Sequence, residues 1–444
     1  MFLDNDQLKE FERSTLKKSS DVIRNAIMKN GIERVALNNT AVVNMRYTFS
    51  KDIKTGKVTS QKRSGRCWMF AGLNLFRKMI TDELNIKDFE LSQSFPMFYD
   101  KLEKANYFLE SILKTMDEDI YSRIVMWLLK DPMQDGGQWD MFVNLVHKYG
   151  AVPKNIMPET YHSSNSYVMN KILTAKLRQY AMNLRDAHLK GSDEKQLRDK
   201  KRVMVGEFYE MLTYFLGIPP SDFDFEFRDE NDHFNADRGL TPKTFYDKYI
   251  GIDLNNYVSI INAPTPDKPF MKTYTVDYLG NVVEGNQVLY LNLSNKEMKE
   301  LTLKQLQNDE PVWFGCDITL SAEKQLGIMD TDIFLLEKAL NNKIDLNKSE
   351  RLLYGESLLT HAMVLTGVNV IDDKPNRWKV ENSWGEERGE KGFFIMSDTW
   401  FDEYNYQVVI NKKHLTRQQL EALEQKPLVL PPWDPMGSLA LVNY

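Results

Sequence analysis

The sequence contains only two cysteines, Cys67 and Cys316, among 444 residues. Two thiols far apart in the chain and in dissimilar surroundings do not make a disulfide framework and are typical of a reducing compartment. No run of about 18 apolar residues occurs, and the start MFLDNDQLKEFERS places acidic residues where a secretory signal needs an apolar core. These absences predict a cytoplasmic protein that does not cross a membrane.

The sequence also lacks the usual ligand patterns for metal ions, since neither HExxH nor a paired Cys/His spacing is present. The formal net charge of -6 gives no general attraction to nucleic acid or to an anionic membrane. Nucleic-acid binding depends on clustered cationic contacts to phosphate. We therefore expect no metal and no cofactor, and a nucleic-acid partner is not favoured.

The composition is that of a globular protein with a large interior, because 42% of the residues are hydrophobic and 27% are charged. A chain of this length exceeds what one hydrophobic core usually serves. Helical spacing dominates the first part of the chain, whereas short apolar segments such as PVWFGCDI and HAMVLTGVNVI follow later. The predicted fold class is α+β, with a helical lobe facing a β-rich lobe across a cleft.

Cys67 lies in QKRSGRCWMF, where a polar loop gives way to an apolar helical pattern. The unpaired N–H groups and the dipole of a first helical turn would favour a thiolate at this position. Arg63 and Arg66 add positive potential, and Gly65 permits a tight turn. The alternative is a core cysteine, and we assign that role to Cys316 within the apolar segment VWFGCDI.

A thiolate nucleophile needs a proton partner, and that partner needs orientation. His361 opens the apolar segment HAMVLTGV, where an imidazole is costly without a hydrogen-bond partner or a function. Asn382 in ENSWG could accept the ring N–H, and Trp384 could cover that bond from water. A satisfied core histidine and a turn asparagine remain alternatives. Most other histidines are expected to be exposed, including His414, which follows two lysines.

Three segments resemble, in this order, the active-site segments of papain-like cysteine peptidases. They are QKRSGRCWMF with Gln61 and Cys67, THAMVLTGV with His361, and VENSWGEERGEKGFFIMS with Asn382 and Trp384. Further segments are similar to the bleomycin hydrolase and bacterial aminopeptidase C branch of that family, among them SQSFPMFYDKLEKANYFLE, DGGQWDMFVNLVHKYGAVPK, LLYGESLLTHAMVLTGV and PPWDPMGSLA. The resemblance covers nearly the whole chain.

The resemblance implies a role for each matching residue. Cys67 would be the nucleophile, and His361 the base that later protonates the departing amine. Asn382 would orient the imidazole, and Gln61 would donate its side-chain amide to the oxyanion of the tetrahedral intermediate.

The resemblance further implies a substrate site that includes Gly136, Gly137, Trp384 and Ala440. The two glycines in DGGQW would line the non-primed side of the cleft, where the missing side chains let the substrate backbone approach the enzyme backbone. A turn that precedes a helix is the alternative for this glycine pair.

The fold implied by the resemblance is a papain-like two-lobed fold, with a helical lobe and a β-barrel-like lobe, that carries a large helical insertion. Residues 1–160 would form an N-terminal segment and the helical lobe with the nucleophile, and residues 161–308 an inserted helical or hook region for oligomer assembly. Residues 309–425 would form the β-rich lobe with the catalytic His and Asn, and residues 426–444 an extended tail directed to the cleft. The assembly implied is a homohexamer.

The tail KPLVLPPWDPMGSLA contains four prolines, which favour a stiff, extended chain. In the family the chain ends at or near the position of Ala440, and its terminal carboxylate pairs with the free α-amino group of the substrate. Here residues 441–444 follow. Either they are trimmed, or the tail lies differently and internal bonds are favoured.

The function implied is that of a cysteine aminopeptidase that releases N-terminal residues from peptides through an acyl-thioester intermediate. An oligopeptide endopeptidase on the same scaffold is the nearer alternative, because of the extended C-terminus. A binding cage for nucleic acid or peptides, without turnover, is the remote one.

Overall fold

The computed structural model describes residues 2–18 and 20–439. Within these ranges the helices are α1 (Asn5–Lys18), α2 (Asp21–Asn30), α3 (Ile32–Ala36), α4 (Asn39–Asn44), α5 (Cys67–Leu84), α6 (Ser94–Lys114), α7 (Arg123–Lys130), α8 (Trp139–Tyr149), α9 (Tyr161–Ser164), α10 (Tyr167–Leu189), α11 (Glu194–Leu216), α12 (Pro242–Tyr249), α13 (Asn295–Gln307), α14 (Leu336–Leu340), α15 (Lys348–Leu353), α16 (Asp398–Tyr404) and α17 (Arg417–Leu423).

The strands of the same ranges are β1 (Lys51–Asp52), β2 (Phe223–Arg228), β3 (Phe234–Leu240), β4 (Tyr257–Ile261), β5 (Lys272–Val276), β6 (Tyr290–Asn292), β7 (Val312–Cys316), β8 (Ala322–Glu323), β9 (Ile328–Met329), β10 (His361–Ile371), β11 (Lys374–Glu381), β12 (Phe393–Ser397), β13 (Asn405–Asn411) and β14 (Leu428–Leu430). All but β2 and β3 belong to one sheet, in the order β14-β5-β6-β4-β13-β7-β10-β11-β12-β9-β8, with β1 paired to β10.

The middle of this sheet is antiparallel. His361 pairs with Cys316 where β10 meets β7, and Val364 pairs with Glu381 where β10 meets β11. The strands here are nearly continuous apolar runs because both faces are covered: one faces the helical core, and the other packs against α13 and α16. The start of β10 therefore lies in the interior of the molecule.

Helix α5 lies between the helical lobe and the sheet. It contacts α8 on one side and β10 on the other, so its first residues are apolar all round and buried. Gly72 lets the helices approach closely, since a Cβ there would lie 2.6 Å from the ring of Phe142. Across the boundary, the indole N–H of Trp313 donates to the carbonyl oxygen of Trp68 at 3.1 Å.

The observed architecture confirms the α+β prediction, with a helical core and a second core under the sheet. The segment predicted as a helical insertion differs in part. Its long helices α10 and α11 pack on α6, but residues 257–292 supply β4, β5 and β6 to the main sheet. β4 is rich in β-branched residues and pairs along β13, which explains its strand conformation. The domain boundaries stay a prediction.

The described part of the chain contains no helix that is both long and apolar enough to span a bilayer.

Candidate active site

Cys67 is the first residue of α5, and its side chain is fully buried. Arg66 precedes the helix, and its side chain does not cap the N–H groups of the first turn. Burial raises the pKa of the Cys67 thiol to about 12, while backbone N–H groups of Ala362, Trp68 and Cys67 itself act in the opposite direction. The pKa-lowering effect expected of a helix start is thus present, but burial outweighs it. Neither cysteine of the chain forms a disulfide.

His361 opens β10, directly before the Ala362 whose N–H approaches the Cys67 sulfur. Its imidazole Nε2 lies 2.8 Å from the Oδ1 of Asn382, so a neutral ring that carries its proton on Nε2 donates to the amide oxygen. Within the described residues, Nδ1 has no hydrogen-bond partner. Burial lowers the pKa of His361 to about 4, against the effect of the Asn382 bond. The ring is therefore neutral near pH 7.

Asn382 follows the last residue of β11, and its side chain is buried. The rings of His361 and Trp384 lie 4.8 Å apart between centroids, tilted by 35°. The guanidinium carbon of Arg388 lies 5.1 Å from the Trp384 centroid. The indole thus lies against the imidazole, and its role in covering the bond to Asn382 stays a prediction.

Gln61 is fully buried, and residues from two different segments hold it. Its backbone N–H donates to the Ser383 carbonyl oxygen at 2.8 Å, and its Oε1 accepts from the Ser383 hydroxyl at 2.5 Å. Its Nε2 donates to the Ser64 carbonyl oxygen at 2.6 Å. An amide nitrogen carries two hydrogens, so one remains for a further acceptor.

The glycine pair packs against the residue after the nucleophile. A Cβ on Gly137 would lie 2.5 Å from the indole of Trp68, so only glycine fits there. The Gly136 carbonyl oxygen accepts a hydrogen bond from Lys104 Nζ at 2.6 Å. Packing thus accounts for Gly137 without a substrate, and the binding role of both glycines stays a prediction.

Buried charged side chains around Asp135, the residue before Gly136, form a network that was not predicted from the sequence. The Asp135 carboxylate accepts hydrogen bonds from Lys101 Nζ at 2.6 Å and from the Gly65 N–H at 2.8 Å. Burial raises the Asp135 pKa, but Lys101 and hydroxyl and amide donors lower it further, well below its usual range. Lys101 and Lys104 occur in a helical pattern with apolar neighbours, YDKLEKANYF. That pattern is the signal that could have indicated buried lysines.

The proline-rich tail reaches both sides of this site. The Ser438 carbonyl oxygen accepts from Gln138 Nε2 at 2.8 Å, and its hydroxyl donates to the Leu359 carbonyl oxygen at 3.0 Å. Gln138 follows Gly137, and Leu359 precedes His361 by two residues. Ser438 therefore lies between the two lobes beside the candidate catalytic residues. Ala440, predicted to line the substrate site, lies outside the described residues, as do residues 441–444.

Several contacts hold the tail upstream of Ser438. Strand β14 pairs with β5 in parallel. Lys268 Nζ lies 2.8 Å from Asp434 Oδ2, and both side chains are buried. The Tyr290 hydroxyl donates to the Met436 carbonyl oxygen at 3.1 Å, and the guanidinium carbon of Arg123 lies 3.7 Å from the Trp433 centroid. These contacts fix the path of the tail up to Ser438, and its direction to a cleft stays a prediction.

Among the described residues, no cluster of three His, Cys, Asp or Glu side chains could hold a metal ion.

Comparisons with known proteins agree over nearly the full length. A model of the Peptidase C1-like family matches residues 2–437. Aminopeptidase C from Listeria monocytogenes serovar 1/2a is 50% identical over 437 residues, 98% of each chain, and bleomycin hydrolase from Gallus gallus is 42% identical over 391 residues, 86% of each chain. The crystal structure of PepW from Lactobacillus rhamnosis HN001 superposes with a TM-score of 0.98, at 50% identity and 99% coverage of both chains.

Proposed function

The chain belongs to the Peptidase C1-like family of papain-like cysteine peptidases, and from that premise we propose that it is an aminopeptidase that releases N-terminal residues from peptides. The observation that carries the proposal is the alignment of three groups. Cys67 is the first residue of α5, and the backbone N–H of Ala362 approaches the Cys67 sulfur. His361 directly precedes Ala362, and the Nε2 of its ring lies 2.8 Å from the side-chain oxygen of Asn382.

In the first chemical step a proton moves from Cys67 to His361, which are both buried. Burial disfavours a lone thiolate and a lone imidazolium, but transfer from the Cys67 sulfur to His361 Nδ1 leaves the total charge unchanged. The mutual attraction of the two charges and the bond to Asn382 stabilise the ion pair. The sulfur then attacks the substrate carbonyl carbon.

The second step depends on donors for the developing oxyanion. The remaining Nε2 hydrogen of Gln61 and the backbone N–H of Cys67 serve as those donors in our proposal, and each such donor contributes roughly 3 kcal/mol to stabilisation of the transition state. His361 protonates the departing amine, which leaves an acyl-thioester. Water activated by the same imidazole then releases the acid product.

The tail favours cleavage near the N-terminus of a peptide. Ser438 bonds to Gln138 and to the carbonyl oxygen of Leu359, on either side of the candidate catalytic residues, and in our proposal the tail up to this residue limits the room for a long substrate. The curated relatives named aminopeptidase C favour this function over an endopeptidase.

The test compares a peptide with its N-acetylated twin, because only an aminopeptidase requires the free α-amino group. We expect cleavage of the first peptide and little cleavage of the second. Equal cleavage of both would support the endopeptidase, and binding of both without turnover would support the cage.

We also propose a cytoplasmic homohexamer as the working form. The N-terminal segment exposes large apolar side chains, among them Phe2 at 95% before α1, and Met28 at 78% and Val22 at 75% in α2, and α2 buries none of its residues within the chain. Exposed apolar surface of this kind is typical of an interface. Native mass spectrometry tests the assembly, and a monomer at micromolar concentration would contradict it.

A further inference from the structure

A polar cluster lies on the nucleophile helix, well behind the thiol. Asn74 and Arg77 follow Cys67 by about two and three turns of α5, and both side chains are buried. The other buried residues of α5 are apolar or glycine, and buried polar side chains in such surroundings need partners.

Their shared partner is Glu381, the last residue of β11 and the residue directly before Asn382. Glu381 Oε1 accepts from Arg77 Nη2 at 2.7 Å and from Asn74 Nδ2 at 2.9 Å. The side chain of Glu381 is 0% exposed and that of Arg77 is 5% exposed. The end of β11 is thus tied to α5 by two buried hydrogen bonds, one of them an ion pair.

The same two side chains also hold the loop that leads to Gln61. Arg77 Nη1 donates to the Lys57 carbonyl oxygen, and Asn74 Nδ2 donates to the Thr59 hydroxyl at 3.2 Å. The Thr59 carbonyl oxygen in turn accepts from the Gly385 N–H at 3.1 Å. Three segments that carry candidate catalytic groups therefore meet at this cluster: α5 with the thiol, the loop with Gln61, and the end of β11 with Asn382.

We propose that Glu381 is a positioning residue, which through Arg77 and Asn74 fixes Asn382, and with it the imidazole of His361, relative to the thiol of Cys67. The inference rests on the proposed peptidase function. Glu381 touches no reacting atom in this proposal and acts through its neighbours.

Stability alone is a weaker explanation for this buried ion pair. Burial raises the pKa of Glu381, and Arg77 only opposes that shift, so the carboxylate is held at a cost. Replacing a buried ion pair with apolar residues is often neutral or stabilising. A role in positioning explains the pair better, because a displacement of a catalytic group by about 1 Å can reduce the reaction rate by about a hundredfold.

The experiment measures three variants of the full-length protein. Glu381→Gln removes the charge while keeping the shape, Arg77→Lys keeps the charge, and Arg77→Met removes it. The matched control is Glu110→Gln, since Glu110 also pairs with two basic side chains, Lys201 and Arg198, but lies between α6 and α11. The readouts are kcat and KM on an aminoacyl 4-nitroanilide, the pH profile of Cys67 alkylation by iodoacetamide, and Tm.

We expect Glu381→Gln and Arg77→Met to lower kcat at least about tenfold at nearly unchanged KM, and to move the acid limb of the alkylation profile to higher pH. Arg77→Lys should restore most of kcat, and Glu110→Gln should leave kcat and the profile unchanged. Unchanged kcat and profile in Glu381→Gln would overturn the inference. The inference would also be overturned if Tm fell in all three cluster variants while the kcat of each folded molecule stayed at the parent value.

Failure of the proposed function is distinguishable from failure of this inference. A parent protein that hydrolyses no aminoacyl substrate would refute the function, and the alkylation profiles would still report on Glu381. If Glu381→Gln does not fold, the comparison of Arg77→Lys with Arg77→Met decides, since equal kcat in the two would overturn the positioning role.

Discussion

The imidazole Nε2 of His361 donates to the side-chain oxygen of Asn382 across 2.8 Å, and the ring lies against the indole of Trp384. This bond selects the tautomer whose Nδ1 can take a proton from the thiol. We expect Asn382→Ala to lower kcat by up to about a hundredfold, because the ring loses its orienting partner. Steady-state kinetics check this, with Asn376→Ala on the same strand as a control. Equal kcat in both variants would contradict the orienting role.

The two cysteines provide a matched pair of variants. Cys67→Ala should abolish turnover and alkylation by iodoacetamide while Tm stays near that of the parent, because the reacting sulfur is lost. Cys316→Ala should keep turnover, although a small cavity in the core lowers the free energy of unfolding by about 1 kcal/mol. Product formation by the Cys67→Ala variant at the parent rate would exclude the proposed nucleophile.

Gln61→Ala should reduce kcat by about a hundredfold to a thousandfold, the usual effect of losing one oxyanion donor. Since the Gln61 amide also bonds to Ser64 and Ser383, Tm should fall as well. Ser383→Ala is the control, because it removes one support of the amide and leaves its N–H groups. A Gln61→Ala enzyme with no larger loss of kcat than Ser383→Ala would argue against a donor role.

The buried pair of Lys268 and Asp434 predicts a change in substrate preference. Asp434→Asn should loosen the tail, since it leaves Lys268 without its buried counter-charge, and cleavage of an N-acetylated peptide should rise relative to its free-amine twin. Asp267→Asn is the control, because Asp267 pairs with the same lysine but is 56% exposed. The measurement is the ratio of the two cleavage rates. An equal ratio in the two variants would show that the tail does not determine specificity.

The lowered pKa of His361 predicts a pH dependence of stability. In the unfolded chain the imidazole binds a proton below about pH 6.5, whereas in the folded protein it does so only near pH 4. The unfolded state therefore binds more protons between these values, and the free energy of unfolding should fall as the pH falls from about 6.5 towards 4. Urea unfolding at pH 7 and pH 5 should show a larger loss for the parent than for His361→Gln. An equal loss in both would mean that the imidazole is not buried as described.

The pH dependence of catalysis has a different origin from that of stability. We expect activity to rise with pH as the ion pair between Cys67 and His361 forms and to fall as it is lost. Because the two groups titrate together, both limbs belong to the pair. A flat profile between roughly pH 4 and 10, with chemistry shown to be rate-limiting, would contradict this pairing.

Local pattern was enough to predict where several candidate residues lie. The spacing of apolar residues changes at both positions, which predicts a helix that starts at Cys67 and a strand that starts at His361. Asn382 lies just after β11, where a turn asparagine was the alternative to an orienting role. The positions of Cys67 and His361 could be predicted because each depends on residues that are close together in the chain.

Other features depend on residues far apart in the chain and could not be predicted. Glu381 meets Arg77 across 304 residues of sequence, and no local pattern indicates that a charged strand end finds its partner on a helix. His414 was expected to be exposed because of the lysines before it, and this expectation is wrong. The ring is buried, with Nε2 3.2 Å from a carboxylate oxygen of Glu310.

The strands β4, β5 and β6 were missed for a similar reason. Their segment is interrupted by polar turns, and the three strands are only three to five residues long. Such short stretches become strands because β13 already presents an edge for β4, which the sequence of β4 alone does not reveal.

Ser438 joins the tail to Gln138, directly before α8, and to Leu359, two residues before β10. The tail is therefore a tether between two segments that flank the candidate catalytic residues. Any movement that separates these segments must break one of the two Ser438 hydrogen bonds, so opening of the site and release of the tail are coupled.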